Sequence, residues 1–179
     1  LFRSHGPESL FPAREVDYQI YVDYLSAQVN ELLTQYGPIA AIWLDGLGGA
    51  WNTQKQAGGK DVLNAQALYD QIRSLQPQVL ISYKQGYLGT EDFVAPEREF
   101  KEKTTKPLEI CNTLQGYSWG YDRADEGRHR KTDEVMKLLA EAKAMPANLL
   151  LNTGPLPDGS IHPDDIHTLR EVGRRLRQS

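Results

Sequence analysis

Apolar positions recur along the chain with two periods. Tyr21, Leu25, Val29, Leu32, Leu33 and Tyr36 step by three and four residues, which places them on one face of a helix. Gly37 and Pro38 then stop it. Ala40 to Asp45 (AAIWLD) is short and apolar and predicts a buried strand, followed by the Gly-rich stretch GLGGAWNTQKQAGGK. Leu68, Ile72 and Leu75 predict a second helix over Ala65–Leu75, with Asn64 as its N-cap and Pro77 beyond its end. Val79 to Lys84 (VLISYK) reads as a second strand. The stretch QGYLGTEDFVAPEREFKEKTTK exceeds ordinary connection lengths and reads as an irregular loop of the kind that carries function. Leu108 to Leu114 predicts a third strand, followed by the aromatic loop GYSWGYDR. Thr132 is the expected cap of a third helix, with Asp133 and Glu134 in its positive first turn and Val135, Leu138, Leu139 and Ala142 inward. Asn148 to Asn152 predicts a fourth strand, TGPLPDGS a turn, and Pro163 the start of a last helix with Ile166, Leu169, Val172 and Leu176 inward. Residues 1–16 read as a loop.

Apolar strands alternating with amphipathic helices define an α/β class with a parallel sheet covered by helices and right-handed crossovers. About four strands are half of an eight-stranded βα barrel, a fold of about 250 residues. The expectation is one domain over residues 1–179. A half-barrel leaves two strand edges unpaired. Missing chain or a second subunit is expected to cover them.

Composition narrows the function classes. Lys plus Arg is 20 and Asp plus Glu is 24, a formal net charge of −4, which argues against a general nucleic-acid binder. Hydrophobic residues at 40% and charged residues at 25% argue against wholesale disorder. The longest apolar run, Ile39 to Leu44, falls far short of the roughly 20 residues of a membrane helix. Cys111 is the only cysteine, so neither an intrachain disulfide nor a cysteine zinc site can form. The opening LFRSHGPESLF has neither an initiator Met nor the form of a secretory signal, and a processed or truncated chain is expected. Compartment stays unassigned. His5, His129, His162 and His167 do not form HExxH, and no metal is expected. GLGG at 46–49 is not a dinucleotide fingerprint, no GKS or GKT follows it, and no G-x-S-x-G elbow occurs.

In parallel βα folds the loops after the strands carry the chemistry. Asp45 ends the first strand, two residues from Trp43 and hence on the same face. Lys84 ends the second strand, where burial is costly unless the charge is paired; Asp45 or a ligand oxygen is the expected partner. A strand-end Asp also caps ordinary turns, and a rim Lys also snorkels. Glycoside hydrolysis needs a second carboxylate, about 5–5.5 Å away in retaining enzymes. Glu91, Glu97 and Glu99 are all available in the long loop, and the residues alone do not choose among them. Trp43, Trp119 and Tyr121 offer ring faces for a pyranose, although such rings also build cores.

The segments IWLDG, ISYKQG, GTEDFVAPE, SWGY and NLLLNTGPLPDG, in this order, resemble the α-L-fucosidases of glycoside hydrolase family 29, over about Tyr18 to Leu176. The resemblance implies the C-terminal half of a (β/α)8 catalytic barrel without the C-terminal β-sandwich. It implies a retaining exo-α-L-fucosidase acting on fucosylated glycans or fucosides, with no cofactor and no nucleic-acid or membrane partner. Asp45 corresponds to the nucleophile and Glu97 to the acid/base, with Glu91, Glu99 and Glu109 as fallbacks. Trp43 and Trp119 correspond to residues lining the fucose pocket, the latter near the C6 methyl. Lys84 stands where some members carry a sugar-binding Arg and lacks the bidentate fork. The family's HHDGF segment, which binds sugar hydroxyls, is not in this sequence. Two expectations follow: an active homo-oligomer whose neighbours rebuild the pocket, or a non-catalytic fragment that retains only fucose binding.

Overall fold

The computed structural model describes residues 18–45, 61, 63–84, 86–98 and 104–178. The expected N-terminal loop, most of the Gly-rich stretch after Asp45, and Glu99 lie outside these. The chain divides into two compact units, 1–40 with 48–79, and 41–47 with 80–179.

The first unit holds helices α1 (Tyr18–Gln35) and α2 (Ala65–Leu75), which lie against each other. Their apolar stripes are narrower than the periodicity predicts. Val29 and Leu33 of α1 are buried, whereas Tyr21, Leu32 and Tyr36 are exposed; on α2, Leu68 and Ile72 are buried and Leu75 is exposed. Gln76 ties the ends together, donating to the carbonyls of Leu33 (2.7 Å) and Gly37 (2.9 Å) and accepting from the Ile39 amide (2.8 Å). Asn64 occupies the N-cap position in the left-handed conformation, but its side chain does not cap. Asp61 does that work instead, accepting from the Gln66 amide at 3.0 Å.

The second unit holds β1 (Ala41–Leu44), β2 (Leu80–Tyr83), β3 (Leu108–Thr113), helix α3 (Thr132–Ala144), β4 (Ala147–Asn152) and helix α4 (Pro163–Leu176). The strands form two parallel pairs, β1 with β2 and β3 with β4. Parallel pairing agrees with the α/β expectation. The loop reading of the long stretch is corrected, because residues 92–98 hydrogen-bond to both pairs. On one side the Asp92 and Ala95 amides donate to the Ile81 (2.8 Å) and Lys84 (2.6 Å) carbonyls. On the other side the Glu109 and Cys111 amides donate to Val94 (3.0 Å) and Pro96 (2.9 Å). The segment thus acts as a short parallel strand, with bridges Val94–Leu108 and Glu97–Cys111.

Leu114, Val135 and Val172 form a core cluster, with Met136, Leu139 and Leu151 packed against it. Leu169 and Leu176 of α4 are exposed, so only part of the expected stripe is covered. β4 forms where the fourth strand is expected; its burial alternates, and Leu150 is exposed. Thr132 is the first residue of α3 rather than its cap. Lys131 takes the cap position, with its amide donating to Glu134 at 2.8 Å.

Candidate active site

The alternation of a strand places Trp43 and Asp45 on one side of β1, opposite the buried Ile42 and Leu44. Register then chooses their neighbours. Trp43 pairs with Ser82 and Leu44 with Tyr83, so the next step along both strands brings Asp45 to Lys84. Lys84 Nζ lies 3.3 Å from Asp45 Oδ1 and also contacts Glu97 Oε1. Its ring neighbour is Trp43, whose centroid is 5.1 Å away. Four of the residues singled out from the sequence, Trp43, Asp45, Lys84 and Glu97, therefore meet at one point. An ammonium contacts two carboxylates at once only if their near oxygens lie within about 6–7 Å, since each N–H···O contact spans roughly 3 Å.

Lys84 is buried, while Asp45 and Glu97 are solvent-facing. Burial works to lower the Lys84 pKa, but the hydrogen bond to Glu97 and the attraction of Asp45 and Glu97 together outweigh it, and the pKa is raised. The ammonium is thus firmly charged at neutral pH. The lysine backbone is itself unusual, at φ 46 in the left-handed region, which turns the chain after β2. Among the described residues, two buried polar atoms on this side of the strand pair have no hydrogen-bond partner: Trp43 Nε1 and, across the register, Ser82 Oγ. Such orphans are rare in native interiors and point to a polar ligand or water.

Glu91, a candidate acid in the sequence, has another role. Its side chain is buried and accepts from the amides of Tyr87 (2.8 Å), Leu88 (2.8 Å) and Gly89 (2.9 Å), while Lys106 Nζ stands 3.8 Å away. It organises the turn between β2 and residues 92–98. Glu109 sits on β3 in register with Asn148. The Cys111 thiol is pushed up to about 11, chiefly by burial and then by Glu109, so it stays a protonated, unreactive core group.

The aromatic loop is pinned from beneath. Asp125 accepts from the amides of Ser118 (2.8 Å) and Tyr117 (3.2 Å). The Ser118 amide is the main reason its carboxyl titrates below the usual range; burial opposes this and the Tyr117 amide adds to it. Gln115 Nε2 donates to the Gly120 carbonyl (2.6 Å), and its Oε1 accepts from the Gly154 amide (2.8 Å). Asn152 Nδ2 holds the Trp119 carbonyl. The motif NTGP thus serves the loop that carries Trp119. Gly154 must be glycine: a Cβ there would lie 2.1 Å from Gln115 Nε2 and 2.6 Å from the Gly120 carbonyl carbon.

Sequence reasoning passed over Arg98, although it directly follows Glu97. Its guanidinium carbon lies 5.0 Å from the Trp119 ring centroid and 5.1 Å from that of Tyr117. Trp119 therefore has one face taken by a cation. Among the described residues no group of three or more His, Cys, Asp or Glu could hold a metal, and no helix is long and apolar enough to cross a membrane.

Comparison with known proteins adds to this geometry. The sequence pattern of the family described as alpha-L-fucosidase matches residues 7–179. The plasma alpha-L-fucosidase of Rattus norvegicus is 31% identical over 157 residues, 84% of this chain and 33% of that protein. The alpha-L-fucosidase of Branchiostoma floridae is 29% identical over 158 residues, 84% of this chain and 34% of that protein. The chain thus spans about a third of the length of these curated relatives. Among solved structures, alpha-L-fucosidase isoenzyme 1 from Paenibacillus thiaminolyticus superposes with a TM-score of 0.72 at 30% identity, over 92% of this chain and 41% of that one. A fucosidase from Bacteroides thetaiotaomicron, trapped as a covalent intermediate with 2-fluoro-fucosyl fluoride, shares the fold at a TM-score of 0.64 and 19% identity, over 89% of this chain and 40% of that one.

Proposed function

The chain belongs to the alpha-L-fucosidase family, and from that premise we propose that it carries the two catalytic carboxylates of a retaining exo-α-L-fucosidase, Asp45 and Glu97. The observation that carries this reading is the single ammonium of Lys84 in contact with both carboxylates. That contact bounds their near oxygens to within about 6–7 Å, a separation that the closely spaced pair of a retaining enzyme satisfies.

Asp45 attacks the anomeric carbon of an α-L-fucoside as the bond to the leaving oxygen breaks. Glu97, protonated, gives its proton to that oxygen. The product is a fucosyl ester of Asp45. Water then gives a proton to Glu97 and attacks the same carbon, releasing α-L-fucose with retained configuration and restoring the Asp45 carboxylate. Lys84 holds both carboxylates through direct ion-pair contacts when no sugar is bound. A sugar entering between the carboxylates therefore draws Lys84 off Glu97 and onto a ligand oxygen. Trp43 Nε1, buried and without a partner, is placed to donate to a sugar hydroxyl. Trp119 offers its remaining face to the pocket. The substrates are fucosylated glycans or fucosides, and the chemistry needs no cofactor.

The strands are read as half of a (β/α)8 barrel, and the pairing of β1 and β4 on one side only among the described residues supports this reading. One observation favours another reading, a non-catalytic fucose-binding piece: no HHDGF segment occurs in this sequence. Hydrolysis of 4-nitrophenyl α-L-fucoside by the 179-residue chain decides between them. Turnover that Asp45→Ala and Glu97→Ala each reduce by about 10³-fold or more supports the enzyme. A folded chain without turnover overturns it.

A further inference from the structure

The fucosidase reading accounts for Asp45, Glu97, Lys84 and Trp43, but leaves Arg98 and Tyr117 without a task. Tyr117 is 77% exposed, so its ring contributes nothing to the core. Arg98 is held over it by two separate constraints. Its backbone is left-handed, at φ 63, and its amide donates to the Cys111 carbonyl at 2.7 Å. Its guanidinium lies over the rings of both Tyr117 and Trp119 and donates one N–H to the Tyr117 carbonyl. A non-glycine residue in this backbone region, next to a reactive carboxylate, is the kind of strain that functional sites retain. The guanidinium makes no ion pair among the described residues, and of its five donors most remain open.

Position across the hydrogen-bonded strands gives this feature a direction. Asp45 ends β1, Lys84 follows β2, Glu97 and Arg98 lie on residues 92–98, and Tyr117 follows β3. Glu97 thus stands between Asp45 and the Arg98–Tyr117 pair. Asp45 attacks from one side, so the group that Glu97 protonates departs toward the other. We propose that Arg98 and Tyr117 form the subsite for the leaving group, and that its ligand is a neutral saccharide. The exposed ring takes the C–H face of a pyranose, and the open N–H donors take hydroxyl or acetamido oxygens. This subsite rests on the fucosidase reading.

The test compares kcat/KM for α-L-fucosyl-(1→6)-N-acetylglucosamine with that for α-L-fucosyl fluoride, whose leaving group is too small to reach Arg98. The variants are Arg98→Asn, since asparagine tolerates a left-handed backbone, Arg98→Lys, and Tyr117→Ala on the exposed ring. The disaccharide-to-fluoride ratio is expected to fall by about tenfold in Arg98→Asn and in Tyr117→Ala, mainly through KM. Arg98→Lys does not restore it, because a flexible ammonium lacks the planar stack. An unchanged ratio, with activity on both compounds kept or lost in proportion, overturns the subsite and leaves the fucosidase reading intact. A wild-type chain that cleaves neither compound overturns both.

Discussion

Lys84 Nζ stands 3.3 Å from Asp45 Oδ1, and the same nitrogen contacts Glu97. The two carboxylates are 52 positions apart in the sequence, and one buried cation joins them. Replacing it separates structure from catalysis. In Lys84→Met the ion pairs are gone, and both carboxylates are solvated enough to limit the cost to about 1 kcal/mol. The sign with pH follows from the raised pKa of the lysine. Its contribution is full below the unfolded-state value of about 10.4 and is lost as pH rises through the higher folded value. Urea midpoints of the wild type should fall on that alkaline side, and those of Lys84→Met should fall less steeply there, the remaining slope coming from tyrosines and other lysines that titrate in the same range.

Gly154 lies beneath the aromatic loop with no room for a side chain. Gly154→Ala should displace Gln115 from Gly120 and cost about 1–3 kcal/mol, as overpacking of a filled site does. Thermal unfolding checks the stability loss. The same variant should also bind fucose more weakly, because Gln115 and Asn152 together hold the loop of Trp119.

Asp125 accepts the amides of Tyr117 and Ser118 with its carboxyl below the usual range. A depressed folded pKa stabilises above the unfolded value of about 3.9 and ceases to do so as pH falls through the folded one. Hydrogen exchange at those two amides should therefore speed up below about pH 4 beyond the intrinsic trend. Asp125→Asn should remove that pH dependence.

Much of this site was legible in the sequence because strand ends are legible. Trp43 and Asp45 share a face by alternation, and Lys84 ends the neighbouring apolar run. The segment 92–98 was not, because Pro96 interrupts it and its pairing is made with β2 and β3 rather than within itself. Glu91 and Glu97 look alike as residues, yet one is buried on three amides and the other is open to a ligand. Only tertiary position separates them. Asp165, two residues after Pro163, carries no signal of its own in the sequence. It is fully buried, accepting from Thr153 at 2.6 Å and facing His129 at 2.6 Å, because the α4 start is packed inward. Arg98 carries no local signal, since nothing in APEREF foretells a left-handed backbone or two rings contributed from beyond β3.

The central claim is that Asp45 bonds to the sugar, and the most direct measurement is covalent trapping. The 179-residue chain is treated with 2-fluoro-fucosyl fluoride, and its intact mass and proteolytic peptides are read by mass spectrometry. The account predicts one 2-fluoro-fucosyl ester, formed with release of the anomeric fluoride, on the peptide containing Asp45 and absent from Asp45→Ala. An adduct on Glu97 or another carboxylate, or none on a folded chain, contradicts it.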